Sequence, residues 1–265
     1  YRVRRLLAFG ILQHDREALR AFRAARIDVV FRNEGWDGWA MPIPVLAWIA
    51  DFQHCHLRDM FDRVGLLKRD LKYSVYCRSA TRVMVSSQDA RRDCEHFFPP
   101  ARGKLSVVPF AVDVGVLPSK EETTRVLSQY DLPERFFYFP GQLWLHKNHT
   151  SVIEALRRLK SNGTPVTVVS TGNLVDGRHP DHPKNIMALV KQYGLENQVR
   201  FLGLVPYAHI GHLMRSSIAV LNPSLFEGWS TTVEEAKSLG VRLILSGLGV
   251  HREQADGLAE FFDPQ

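Results

Sequence analysis

Ten short apolar runs, most of them rich in β-branched or aromatic residues, constrain this chain more than any other feature. They are IDVVF (27–31), VLAWIA (45–50), RVMVSS (82–87), LSVVPF (105–110), RFFYF (135–139), VTVVS (166–170), VRFLG (199–203), SIAVLNP (217–223), RLILS (242–246) and LAEFF (258–262). Their length suits strands rather than helices, and their near-continuous apolarity suits strands buried on both faces. Stretches with helical spacing separate most of them, at 14–25, 58–77, 88–97, 148–162, 184–194, 207–215 and 231–239. Such alternation predicts an α/β fold of doubly wound parallel sheets with helices on both faces.

With 265 residues, 45% hydrophobic and 10% aromatic, the chain can fill two cores. The polar stretch 111–135 is the expected seam, giving domains 1–114 and 115–265 with a cleft between them. Ligands of such sheets bind beyond the carboxyl ends of the strands, so motifs that follow strands carry the functional reading.

The net charge of +6 is spread along the chain and suits anionic ligands. No interleaving of aromatic and basic residues points to nucleic acid. Cys55, Cys77 and Cys94 are an odd count without CxxC spacing, so neither a disulfide framework nor a structural zinc site is expected, and a cytoplasmic setting fits. No apolar run approaches the ~20 residues of a spanning helix. Opening at Tyr1 and ending at FFDPQ, the chain reads as trimmed at both ends.

Three segments carry chemistry. In FPGQLWLHKNHTSVIEAL (139–156) a strand ends at Pro140-Gly141, a loop carries Lys147, and a helix follows. A lysine beside a helix N-terminus can neutralise a diphosphate; the alternative is a solvated loop lysine with His146 and His149 as ordinary polar surface. In LNPSLFEGWSTTVEEAKSLG (221–240) Thr231 and Glu234 form the pattern of a capping box, with Glu227 in the preceding loop and Glu235 in the helix. Amides of Gly228, Trp229, Ser230 and Thr231 sit where they can receive phosphate or sugar oxygens, and the two glutamates can accept hydrogen bonds from hydroxyls. In IADFQHCHLRDMF (49–61), His54 and His56 follow a strand. No third ligand cluster with suitable spacing accompanies them, so a cleft-edge histidine is expected rather than a metal site. Weaker signals are Ser87 as an N-cap and Gly172, in the turn STGNL, as a point of close ligand approach.

With these residues in view, the sequence resembles the family-4 retaining glycosyltransferases of the GT-B fold, two Rossmann-like domains facing a cleft. The carriers are Glu227-x7-Glu235 in PSLFEGWSTTVEEA, the PGQLWLHKNH loop, the FLGLVP turn (201–206) and SGLGVHREQ (246–254). The resemblance implies an incomplete acceptor-side domain at 1–114 and a donor-binding domain at 115–265. It implies that Lys147 binds the donor diphosphate, Glu227 the transferred sugar and Glu235 the ribose. Gly141, Gln142, Gly172 and Val205 line the donor site, and His54 is the acceptor-domain histidine near the reaction centre. Gln142 stands where many relatives carry arginine, which weakens the charge clamp.

The reaction implied is metal-independent transfer, with retention, from a nucleotide sugar to a saccharide or lipid-linked acceptor. No cofactor and no nucleic acid take part. Peripheral contact with the inner face of a membrane, through basic residues such as Arg4, Arg5, Arg20, Arg23 and Arg26, would suit a lipid-linked acceptor. A non-catalytic nucleotide-sugar binding module and a GT-B nucleotide-sugar epimerase are the alternatives.

Overall fold

The computed structural model describes residues 14–35, 38–115 and 119–264. Contacts divide the chain between Phe110 and Ala111 into two compact units. Of the arginines named above for a membrane, Arg4 and Arg5 lie outside the described residues.

The first unit holds a parallel sheet of β1 (Val30–Arg32), β2 (Val45–Trp48), β3 (Arg82–Val85) and β4 (Leu105–Val107), in that order. Its described strands follow one another without a reversal of order. The helical stretch expected at 58–77 is broken: a short turn at Arg58–Met60 precedes a helix Arg63–Ser79, whose N-cap is Asp62. The Asp62 carboxylate accepts the Gly65 amide at 2.8 Å, satisfying one of the donors a helix start leaves open. Ser87 caps the helix Gln88–Phe97 in the same way, through the Ala90 amide at 2.9 Å.

The second unit holds β5 (Phe137–Pro140), β6 (Val168–Thr171), β7 (Val199–Gly203), β8 (Val220–Asn222), β9 (Leu243–Ser246) and β10 (Ala259–Phe262). Their spatial order is β7-β6-β5-β8-β9-β10, all parallel. That is the doubly wound dinucleotide-fold order, and it reverses between β5 and β8.

Alternation along β5 shows why this sheet must be covered on both faces. Phe136 and Tyr138 enter one core with Leu213, Met214, Val233, Ala236 and Ala255 from helices Tyr207–Ser216, Thr231–Ser238 and Gly249–Ala255. Phe139 enters the other with Ile153, Leu156, Ile186 and Val190 from helices His149–Ser161 and His182–Gln192. β6 is buried at all four positions, as a central parallel strand is. The helix Gly249–Ala255 and the single turn Gln53–His56 add to the elements expected from the sequence pattern.

Candidate functional site

The reversal of strand order parts the loops that follow β5 and β8, and both loops carry charge. After β5 the backbone passes Gly141, makes a short turn at Leu145–Lys147, and enters the helix His149–Ser161 through Asn148, held left-handed at φ 58°. Asp176, 1% exposed, fixes that turn by accepting the Leu145 amide at 3.1 Å while also accepting the Arg178 and His179 amides.

After β8, Asn222 organises the second loop. Its side chain donates to the Ser230 hydroxyl at 3.0 Å and accepts the Ser224 amide at 3.3 Å. The Leu225 amide donates to the His146 carbonyl at 2.8 Å and ties the loops together.

Across this tie Lys147 donates to Glu227 Oε1 at 2.6 Å, with the two side chains only 20% and 11% exposed. The Ser224 hydroxyl lies 2.7 Å from the same oxygen. Burial opposes ionisation of Glu227, but the charge and hydrogen bond of Lys147, with smaller help from His251 and Ser224, outweigh it and hold the carboxyl at about 2. Lys147 is therefore not a solvated loop lysine, and His146 and His149 are not surface: they are 7% and 2% exposed. Burial, reinforced by neighbouring positive charge, lowers His146 to about 4 and His149 to about 3. Both rings are neutral near pH 7, and His149 stacks on Phe139 at 4.2 Å between centroids.

Several expected roles change once these partners are known. Gly172, at φ 132°, lets the backbone pass close to Gly141: a Cβ there would lie 2.2 Å from the Gly141 carbonyl oxygen. Gln142 accepts the Asn173 amide at 3.0 Å, bracing the loops after β5 and β6 against each other. The cap of helix Thr231–Ser238 is Ser230, not Thr231, and the expected Thr231–Glu234 capping box is absent. The Ser230 hydroxyl is 3.4 Å from the Val233 amide.

Nor is the Ser230 amide free for phosphate, because it donates to Gln254 Oε1 at 2.9 Å. Gln254 Nε2 returns bonds to the Ser230 carbonyl and to Glu234 at 3.1 and 3.0 Å, so Glu234 links two helices. Gly228 and Trp229 are half-buried in the same loop, and Thr231 is exposed. Val205 packs in part against the core around Tyr138.

Glu235, one turn along that helix, accepts the Tyr207 hydroxyl at 2.9 Å. Burial raises its pKa, and the Tyr207 bond partly counters this. Its carboxylate borders a cavity of about 510 Å³ lined also by Asp113, Tyr207, Gly211 and His212. A pocket of that size takes a small organic ligand.

One residue missed from sequence reading completes the centre. His251, wholly buried in the helix after β9, places Nδ1 2.9 Å from the Ser246 carbonyl, and the Ser246 hydroxyl donates to the Ser224 carbonyl at 2.6 Å. Through Ser246 and Ser224 the histidine is joined to the Glu227 loop.

In the first unit, His54 is wholly buried rather than at an edge. Its Nε2 is 3.2 Å from Asp70 and 3.5 Å from the Cys55 thiol, and its ring packs edge-on against Tyr73. Burial lowers its pKa against the opposing pull of Asp70. His56 pairs instead with Asp93 at 2.9 Å. Among the described residues, a three-ligand cluster stands here, at His54, Cys55 and Asp70, where sequence spacing gave none.

Comparison with known proteins bears on the family and the fold of the chain. The family model "Glycosyl transferases group 1" matches residues 120–257. A D-inositol 3-phosphate glycosyltransferase of Frankia alni is 24% identical over 186 residues, covering 68% of this chain and 46% of the relative. O-antigen chain mannosyltransferase B of Escherichia coli is 23% identical over 189 residues, 71% of this chain and 48% of the relative. The chain thus spans about half the length of the curated relatives it matches. Among solved structures, the Anabaena protein HepE in complex with UDP and glucose superposes with a TM-score of 0.73 at 19% identity, over 94% of this chain and 67% of that one. A glycosyltransferase from Rickettsia africae gives 0.73 at 16% identity, over 94% and 66%. These likenesses establish the GT-B fold class for the two parallel-sheet units.

Proposed function

The chain belongs to the glycosyl transferases group 1 family, and from that premise we propose that the full-length protein transfers a sugar from a nucleotide-sugar donor bound at the Lys147–Glu227 centre to a saccharide or lipid-linked acceptor. The observation that carries the reading is the position of this ion pair. It sits on the two loops that part where the strand order reverses, the place where open parallel sheets bind nucleotides.

Lys147 supplies the positive charge that departure of a nucleoside diphosphate requires. Donor binding gives Lys147 a new anionic partner and releases Glu227, held ionised, to accept hydrogen bonds from sugar hydroxyls. Glu235 and its cavity take the ribose. The acceptor oxygen bonds to the anomeric carbon as the diphosphate oxygen leaves, and the acceptor's proton passes to the departing diphosphate. We propose that this occurs with retention and without a divalent metal, because the described groups at the centre are a cation and one carboxylate rather than several carboxylates.

Because HepE was solved with UDP and glucose, UDP-glucose is the first donor to test, with GDP- and ADP-sugars beside it. Lys147→Ala and Glu227→Ala should each lower transfer by about 10² or more, without loss on chelation of divalent cations. Transfer at native rates in both variants overturns the reading, and so does an epimerised nucleotide sugar formed without acceptor.

A further inference from the structure

The first unit holds an arrangement that the proposed reaction leaves unexplained. Cys55 and Asp70 approach the same atom of His54: Nε2 lies 3.5 Å from the Cys55 sulfur and 3.2 Å from Asp70 Oδ1. In a nucleophile–histidine–acid relay the thiol and the carboxylate would face opposite ring nitrogens. Here the three donor atoms converge instead, all within 4.8 Å of one another. A thiol, an imidazole and a carboxylate around one point form the ligand set of a zinc-class cation.

Spacing supports the same conclusion. On a tetrahedral zinc ion, with bonds of about 2.0 Å to nitrogen or oxygen and about 2.3 Å to sulfur, ligand atoms stand about 3.3–3.5 Å apart. Both contacts of Nε2 are close to that separation. The imidazole is also held in place: His54 is wholly buried and lies edge-on to Tyr73 at 5.0 Å and Phe61 at 6.4 Å between centroids. Its Nδ1 has no partner among the described residues whichever nitrogen carries the proton, so an ion on Nε2 strands no further atom. Arg58 approaches the other oxygen of Asp70, Oδ2, at 3.7 Å and leaves Oδ1 to the cluster. Asp70 is 39% exposed and Cys55 half-buried, which gives an ion a way in from solvent. A thiolate and a carboxylate together balance a doubly charged cation.

We propose that His54, Cys55 and Asp70 bind a zinc-class divalent cation, which fastens the turn Gln53–His56 to the helix Arg63–Ser79. The ion takes the place of the Cys55 proton, which passes to solvent. Burial, and after it Asp70, favours keeping that proton, so binding tightens as the pH rises. Magnesium and calcium, which take oxygen ligands, do not suit the cluster. This goes beyond the donor-site reading and stands without it: the transfer proposed at Lys147 and Glu227 makes no use of this ion.

The test is titration of Co²⁺, a spectroscopic stand-in for zinc, into reduced full-length protein stripped of metal by a chelator. A single equivalent per chain should give a thiolate-to-cobalt charge-transfer band and raise the thermal midpoint. Zn²⁺ should displace the cobalt, and Mg²⁺ in about hundredfold excess should not. Cys55→Ser and Asp70→Asn should each weaken binding by about 10² or more, beyond what loss of a merely supporting residue costs. Both replacements keep the size of a partly exposed side chain, and the native titration decides the matter by itself if either variant fails to fold. His56→Ala, which removes the neighbouring imidazole paired with Asp93, should leave the titration unchanged. Absence of the charge-transfer band in the native protein overturns the inference, and so does a band that survives Cys55→Ser. An equal rise in midpoint with Mg²⁺ overturns it too. Loss of binding in His56→Ala with retention in Asp70→Asn places the ion on other ligands and likewise overturns it.

Discussion

Replacing Lys147 by Met leaves the Glu227 carboxylate buried beside Ser224 without its cation. Holding that carboxyl at about 2 instead of 4.5 corresponds to about 3 kcal/mol of stabilisation at neutral pH. Burial then pushes the unpaired acid upward, so the loss at pH 7 should reach about 3–5 kcal/mol, the cost of stranding one member of a buried pair. Glu227→Gln should lose less, about 1–2 kcal/mol, because the Lys147 side chain is 20% exposed and can turn to water. The pH dependence gives the diagnostic sign. In the native protein the folded pKa is depressed, so the contribution is present above about 4.5 and disappears as the pH falls toward 2. In Lys147→Met the folded pKa is raised, so protonation favours the fold and the deficit should shrink as the pH falls from 7 to about 4. Urea unfolding of the native protein, both single variants and the double variant over this range measures the pair directly. A coupling below about 0.5 kcal/mol, with a deficit independent of pH, refutes the reasoning.

Three further outcomes follow from single contacts. Gly172→Ala should destabilise by about 2 kcal/mol or more, because its Cβ would meet backbone at 2.2 Å and its φ of 132° disfavours any side chain; an unchanged thermal midpoint counts against the strand-end packing described. His149, lowered to about 3, stabilises fully above its ordinary value of 6.5 and progressively less as the pH falls below it, so His149→Phe should lose about 2 kcal/mol less than the native protein between about pH 6.5 and 5. Parallel losses in the two proteins would show that the ring does not titrate in that way. Gln254→Ala should cost about 1–3 kcal/mol by stranding the buried Ser230 amide and carbonyl, read as faster hydrogen exchange at the start of helix Thr231–Ser238.

The ten strands among the described residues are visible in the sequence because most are β-branched or aromatic runs bounded by turn residues, the pattern that two buried faces demand. The helix Gly249–Ala255 was missed for the opposite reason: seven residues containing His, Arg, Glu and Gln give too few turns to show a period. Choosing between Ser230 and Thr231 as cap turns on backbone dihedrals, since adjacent hydroxyl residues satisfy the same pattern. His54 illustrates a wider limit. A histidine shortly after a strand reads as a cleft residue, yet Asp70 and Tyr73 on the next helix enclose it. The chain of bonds from Gln254 to Ser230 and Glu234 spans 24 and 20 residues with no periodic signature.

Lys147 and Glu227 are 80 residues apart, and only topology explains why they meet. In a doubly wound sheet the first strand lies beside the fourth, so the loops after β5 and β8 face each other although two strands and three helices intervene in sequence. An ion pair so placed is felt mainly when one member is removed, because desolvation offsets part of its attraction and apolar residues of the same volume could hold the loops as well. Its distinctive property is exchangeability. A cation whose present partner is a single carboxylate can accept a diphosphate in its place without moving far, and the carboxylate it releases is already ionised at neutral pH. The same geometry makes Ser224, Ser246 and His251 matter: they hold the Glu227 loop from behind, so that a change of partner in front need not collapse it. A site built this way should bind its donor more tightly as ionic strength falls, since the exchange replaces one charge contact by another of higher charge.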